Sequence, residues 1–112
     1  MMKSELVIMN NPKSSISEEI RTIKTNIQFM TTDESIKTLL ITSSIPGEGK
    51  SFISSNLACA FAQNDERVLL IDCDLRLGRL HKIFGLSNEK GLSNLIVGKD
   101  LNCKNYVQRT KI

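Results

Sequence analysis

A glycine-containing loop between an apolar run and a Lys-Ser pair constrains the fold of this chain most. Residues 39–51 read LLITSSIPGEGKS, which predicts a buried strand, a tight loop and a helix that opens at Lys50 and Ser51. Such a loop wraps phosphates with backbone N–H groups, because glycines let the backbone approach closely. The helix adds a partial positive charge at its N-terminus. The stretch therefore predicts a site for a nucleoside triphosphate.

The residues of this loop have separate expected roles. We predict that Lys50 reaches the β- and γ-phosphates and that the Ser51 hydroxyl binds Mg²⁺. Ser44 stands where the general pattern has its first glycine, so a plain glycine-rich turn is the alternative. The residues expected to contact the nucleotide are Pro46, Gly47, Glu48, Gly49, Lys50, Ser51 and Phe52.

Two acids follow a second apolar run. Residues 68–71 read VLLI, and Asp72 and Asp74 come directly after them. A continuous apolar run is typical of a strand buried on both faces of a parallel sheet, and ligands bind at the carboxyl ends of such strands. Residues 51–63 have helical apolar spacing, which completes a right-handed βαβ unit. We therefore expect both acids to project near the phosphate loop; a solvated strand end is the alternative.

The two motifs in this order resemble a known family. PGEGKS, followed by an apolar run and DxDxR, is similar to the Walker A and Walker A′ motifs of bacterial tyrosine kinases, the P-loop kinases of capsule and exopolysaccharide synthesis. The resemblance covers residues 10–100 and is strongest to the free-standing CapB/CpsD type. It includes the segment after the acids, which reads as two short helices, the second ending at Gly98. The fold it implies is α/β: a P-loop NTPase-like parallel sheet with flanking helices, here incomplete.

The activity that the resemblance implies is ATP-dependent phosphorylation of protein tyrosines, including the kinase's own, in control of polysaccharide synthesis and export. ATP and Mg²⁺ are the implied cofactors. Lys50, Asp72 and Asp74 are then catalytic, and Ser51, Asp72 and Asp74 hold the metal. One aspartate orients or deprotonates the attacking hydroxyl, and the spacing leaves open which one.

A segment near the N-terminus resembles the family's subunit-assembly motif, E-x-x-R-x-x-R. Glu18 and Arg21 match, and Lys24 keeps the charge of the second arginine without its bidentate geometry. These three residues are therefore the implied interface of a homo-oligomeric ring. The same segment is an amphipathic helix whose isoleucines are expected to face the sheet: Ile16, Ile20, Ile23 and Ile27.

The predicted organisation is a flexible arm over residues 1–14 and the N-terminal part of a kinase domain over residues 15–112. The resemblance implies a longer domain, because no Walker B run follows Asp74 and no tyrosine cluster ends the chain. Its lone tyrosine, Tyr106, is interpreted as structural. The family resemblance also implies an activating partner, a membrane polysaccharide co-polymerase adaptor.

Composition limits the other function classes. With 112 residues, 40% of them hydrophobic and 24% charged, the chain is typical of one small globular domain. A net charge of +3, one tyrosine and no tryptophan predict no binding of nucleic acid. No signal peptide or spanning run is visible, so the expected location is cytoplasmic, attached peripherally to the plasma membrane through the adaptor.

Two other functions remain open. A MinD/ParA-type ATPase shares the fold, but usually carries a second lysine early in its loop, where residues 43–45 have none. The other is a truncated, non-catalytic fragment that binds nucleotide or the adaptor.

Overall fold

The computed structural model describes residues 5–30, 37–44, 47, 49–110 and 112. The helices of this part of the chain are α1 (Val7–Asn10), α2 (Ser15–Gln28), α3 (Lys50–Gln63), α4 (Leu80–Phe84), α5 (Leu92–Val97) and a 3-10 helix (Cys103–Tyr106). Within the same residues no strand is assigned.

The two segments predicted as strands therefore have no regular secondary structure and form no ladder with each other. Their apolar side chains are open to solvent, with Leu40 exposed by 82% and Leu69 by 63%. A strand forms its ladder only with a neighbouring strand, and it buries both faces only when other elements cover them. The described residues supply no such neighbours, so the predicted burial on both faces is wrong for this chain, and the parallel sheet is not confirmed.

Helix α3 is the element around which the core is built. Helices α1, α2 and α4 all pack against it. Its Cys59 and Ala60 are buried together with Ile20 of α2 and Ile83 of α4. Because α3 is lined by small and apolar residues on several sides, three elements can approach it closely.

The N-terminal segment, residues 5–11, is packed where the sequence suggests a flexible arm. Leu6 and Ile8 have no exposed surface and belong to the same core cluster as Ile20 and Cys59. Residues 5–14 are thus part of the folded unit in this structure, and residues 1–4 lie outside the described residues. The pattern misses this packing because α1 is a single turn, too short to show a period.

The face that helix α2 packs against the core differs from the face that its isoleucines predict. Ile20 is buried, but two of the four isoleucines are exposed by 40% or more: Ile16 and Ile23. Ser17 is fully buried instead, and its hydroxyl donates to the carbonyl oxygen of Asn11 at 2.7 Å. Ser14 caps the helix, since its Oγ accepts the N–H of Ser17 at 3.2 Å. These bonds between α2 and the preceding turn fix how the helix is rotated.

The two short helices after the acids are confirmed. Helix α4 ends at Gly85, which has a left-handed φ of 66°, and α5 ends at Gly98. Beyond α5, the Tyr106 hydroxyl donates to the carbonyl oxygen of Asp100 at 2.9 Å, and the Gln108 amide both accepts from and donates to the backbone of Ser87. Residues 100–108 are therefore held mostly by polar contacts, whereas Ile112 packs against the core cluster.

None of the helices among the described residues is long and apolar enough to cross a membrane.

Replacing Leu6 by alanine tests whether the N-terminal segment belongs to the core. Because the side chain is fully buried, we expect the free energy of unfolding to fall by about 2–5 kcal/mol in urea denaturation followed by circular dichroism. The matched control is Leu101→Ala at a residue exposed by 78%, which should change it by less than about 0.5 kcal/mol. Equal, small effects of both substitutions would show that the segment is an arm.

Candidate phosphate-binding site

Two glycines before α3 have left-handed backbone conformations, which occur in phosphate-binding turns. Gly47 and Gly49 have φ angles of 82° and 83°, in the left-handed region that favours glycine. A Cβ on either glycine would meet no atom within 4 Å, so the backbone conformation, and not crowding, requires glycine here. Pro46 and Glu48, also predicted to contact the nucleotide, lie outside the described residues.

The first turn of α3 offers its backbone N–H groups at the end of this loop. The first intrahelical bond runs from the N–H of Ile53 to the carbonyl oxygen of Gly49 at 2.9 Å. The N–H groups of Lys50, Ser51 and Phe52 precede that bond, and Gly49 provides no capping side chain. A 14-residue helix with this open end is suited to an anion. The Lys50 side chain is exposed beside it.

Phe52 contributes to this end of the helix through its backbone. Its side chain is partly buried and packs against the core cluster. Its N–H group is in the first turn of α3, so Phe52 anchors that turn on the core.

Asp72 has both carboxylate oxygens hydrogen-bonded to the backbone. Its Oδ1 accepts the N–H of Asp74 at 3.0 Å, and its Oδ2 accepts the N–H of Leu80 at 3.2 Å. Leu80 is the first residue of α4. Asp72 therefore closes the loop 72–80 and ties it to the start of α4.

Asp74 binds the backbone of its loop through only one of its two carboxylate oxygens. Its Oδ1 accepts the N–H groups of Leu77 at 3.0 Å and Arg76 at 3.2 Å, and its Oδ2 takes part in neither bond. The pKa of this exposed carboxyl lies below its usual value of 3.8, mainly because it accepts the N–H of Leu77 and then that of Arg76. The ammonium of Lys50 lowers the pKa further. Asp74 is thus a carboxylate at neutral pH, and the structure brings it within electrostatic reach of Lys50.

Gly78 is a residue of this loop that sequence reasoning missed. A Cβ at this position would lie 2.8 Å from Oδ2 of Asp72 and 2.9 Å from the carbonyl oxygen of Asp74. The loop therefore closes most tightly where a side chain is lacking. The one available signal was a glycine inside a short turn that begins with two acids.

The three residues predicted to bind Mg²⁺ differ in how well their oxygens are suited to it. Hydroxyl and carboxylate oxygens such as those of Ser51 and Asp74 are the ligands that Mg²⁺ prefers. Asp72 already binds two backbone N–H groups, and it therefore fits a position beside the metal better than one on it. Among the described residues, no group of three or more His, Cys, Asp and Glu side chains is arranged to hold a metal.

The three residues of the predicted subunit interface lie on α2. The Arg21 Nη1 donates to the carbonyl oxygen of Pro12 at 2.6 Å and to Oε1 of Glu18 at 3.3 Å. The Glu18 side chain is exposed by 69%, and the Arg21 side chain by 31%. Lys24 is half-buried. Arg21 therefore braces the turn before its own helix.

The two aspartates should respond differently to amide substitution. In Asp74→Asn, the single remaining oxygen can still accept both loop N–H groups, so the loop should stay closed. In Asp72→Asn, an NH₂ group must face one of two N–H donors, which leaves that donor unsatisfied. We expect the Leu80 or Asp74 amide to exchange its hydrogen about tenfold faster in Asp72→Asn only, measured by NMR. Equal exchange rates in the two variants would contradict the assignment of loop closure to Asp72.

The profile of the CobQ/CobB/MinD/ParA nucleotide binding domain matches residues 39–106. Tyrosine-protein kinase YwqD of Bacillus subtilis (strain 168) is 47% identical over 98 residues, which are 88% of this chain and 41% of that protein. Tyrosine-protein kinase etk of Escherichia coli (strain K12) is 44% identical over 92 residues, 82% of this chain and 13% of that protein. The chain thus spans less than half the length of these relatives.

Among solved structures, the crystal structure of the chimerical protein CapA2B2 matches with a TM-score of 0.88 and 40% sequence identity, covering 100% of this chain and 49% of that one. The predicted resemblance to bacterial tyrosine kinases is confirmed by the names of the relatives, which favour it over the MinD/ParA alternative. The chain belongs to the family of CobQ/CobB/MinD/ParA nucleotide-binding domains, and its relatives there include bacterial tyrosine-protein kinases.

Proposed function

We propose that this chain binds Mg·ATP and forms the phosphate-binding part of a protein-tyrosine kinase that acts on itself and on other proteins. The observation that carries the proposal is the start of α3. Two left-handed glycines lead directly into a helix N-terminus, where Lys50 lies within electrostatic reach of the Asp74 carboxylate. The names of the relatives add the class of reaction.

In this proposal the phosphates lie against the first turn of α3. The N–H groups of Gly49, Lys50 and Ser51 donate to phosphate oxygens, and the Lys50 ammonium neutralises charge that develops on the transferred phosphoryl group. The Ser51 hydroxyl and the Asp74 carboxylate would hold Mg²⁺. When bound, the ion would supply positive charge to the phosphate.

The low pKa of Asp74 bears on how the attacking tyrosine is handled. A carboxylate held below its usual pKa is a weak base, because the hydrogen bonds that stabilise the anion are weakened on protonation. Asp74 is therefore suited to hold the metal and to orient a hydroxyl by accepting its hydrogen bond. Asp72 acts by fixing the loop that carries Asp74.

The proposal extends to partners and location. A membrane polysaccharide co-polymerase adaptor activates the kinase and holds it at the cytoplasmic face of the plasma membrane, in control of capsule or exopolysaccharide export. Copies of the kinase assemble into a ring through Glu18, Arg21 and Lys24. Glu18, exposed by 69%, is the residue best placed to contact a second copy, since Arg21 already binds the Pro12 carbonyl.

A second candidate function is binding of nucleotide without phosphoryl transfer. The exposed apolar side chains of the two extended segments favour this second function for the chain alone. Leu40 and Leu69 are not packed against the neighbouring elements that a completed sheet would supply.

Isothermal titration of the 112-residue chain with Mg·ATP tests the proposal. We expect Lys50→Met to weaken binding about 10- to 100-fold, because a charge-assisted contact to phosphate is lost. The matched control, Lys99→Met, removes an exposed lysine two residues after α5 and should leave the affinity unchanged.

Transfer to a tyrosine peptide then separates the two candidates. Transfer that is lost in Lys50→Met supports the kinase, and binding without transfer supports the second candidate for this chain. If the folded wild-type chain does not bind Mg·ATP, both are wrong.

A further inference from the structure

Asn56 is a polar side chain of α3 with no exposed surface, and its amide joins two distant parts of the chain. Its Oδ1 accepts the N–H of Ile8 at 3.1 Å. Its Nδ2 donates to the carbonyl oxygen of Glu5 at 2.7 Å and to that of Phe52 at 2.8 Å. A buried amide with this many satisfied groups fixes its partners, since each group would be costly to leave unpaired.

The bond to Phe52 reaches the turn that faces the phosphates. Ser55 acts beside it, because its Oγ donates to the carbonyl oxygen of Ser51 at 2.6 Å and lies 3.1 Å from that of Phe52. A carbonyl shares its rigid peptide plane with the next N–H, so a bond to the Ser51 carbonyl also restrains the Phe52 N–H. The first turn is thereby held from its inner side.

Glu5 extends the connection to the loop that carries the acids. Its carbonyl oxygen binds Asn56, and its Oε1 lies 3.7 Å from Nη2 of Arg79. Arg79 caps α4 and precedes Leu80, whose N–H binds Asp72. The N-terminal segment therefore contacts both sides of the candidate site: the helix that begins at Lys50, and the loop 72–80.

We propose that Asn56 is a positioning residue for the phosphate site. It couples the N-terminal segment to the first turn of α3, so that the packing of this segment sets the affinity for phosphate. The inference rests on the proposed function, because Mg·ATP is the ligand whose affinity it concerns.

Three variants separate this role from a general loss of stability. Asn56→Ala removes all three bonds. Asn56→Ser is milder, since a hydroxyl at this position can still bind the Phe52 carbonyl four residues back, but does not reach the N-terminal segment. Ile20→Ala is the matched control: it opens the same core from α2 and leaves the Asn56 amide in place.

Hydrogen exchange without nucleotide tests the connection itself. At temperatures equally far below each variant's Tm, we expect the Ile8 amide to exchange about tenfold faster in both Asn56 variants than in Ile20→Ala. In Asn56→Ala, the amides in the first two turns of α3 should also exchange their hydrogens faster. Exchange at Ile8 that is the same in Asn56→Ser and Ile20→Ala overturns the proposal, whether or not nucleotide binds.

Titration with Mg·ATP tests the consequence. We expect both Asn56 variants to bind about tenfold more weakly at a temperature where circular dichroism shows them folded, and Ile20→Ala to bind like the wild type. Unchanged affinity in folded Asn56→Ser, with binding still lost in Lys50→Met, overturns the positioning role and leaves the proposed function standing. A folded wild-type chain that does not bind Mg·ATP contradicts the proposed function instead, and the exchange data then decide whether the connection exists.

Discussion

The buried contact between the N-terminal segment and α3 is the interaction on which the rest of the described structure depends. Leu6 and Ile8 supply apolar surface to a small core, and the Asn56 amide aligns the segment by pairing its backbone groups. The Cα radius of gyration is 14.8 Å, whereas a compact chain of this length is expected near 13 Å. Together with the packing of α2 and α4, this contact holds α3 in place, and hence sets where its N-terminus points.

The sequence predicted those features whose cause is local. The loop and the start of α3 follow from glycines at two left-handed positions and from the Lys-Ser pair, which need no information about the rest of the chain. The end of α5 at Gly98 is predicted in the same way, from a glycine that directly follows the helix.

The features that were missed have causes that an apolar pattern does not record. Ile8 packs in the core beside α3, where Asn56, 48 residues away, binds its N–H group, and no short-range pattern records this contact. The rotation of α2 comes from the Ser17 hydroxyl, which reaches the carbonyl of Asn11 and displaces the expected isoleucine stripe. The two apolar runs predicted burial that only neighbouring strands can provide, and the described residues contain none.

The pair of acids shows how far a motif specifies a site. Its spacing placed two carboxylates at the end of an apolar run, but it treated them as equivalent. The hydrogen bonds distinguish them: Asp72 closes the loop with both oxygens, whereas Asp74 accepts its two loop N–H groups with Oδ1 alone. A structural acid and the acid that we propose as a metal ligand are thus combined in one turn, and the absence of a side chain at Gly78 lets that turn close.

The central claim is that phosphate binds at the N-terminus of α3, between the glycine loop and the loop of the acids. The most direct test is a titration of the ¹⁵N-labelled chain with a non-hydrolysable Mg·ATP analogue, followed by NMR amide shifts. We predict saturable shifts at Gly47, Gly49, Lys50 and Ser51 and in residues 72–80. A folded chain whose shifts are absent, or confined to residues 87–108, would contradict the account.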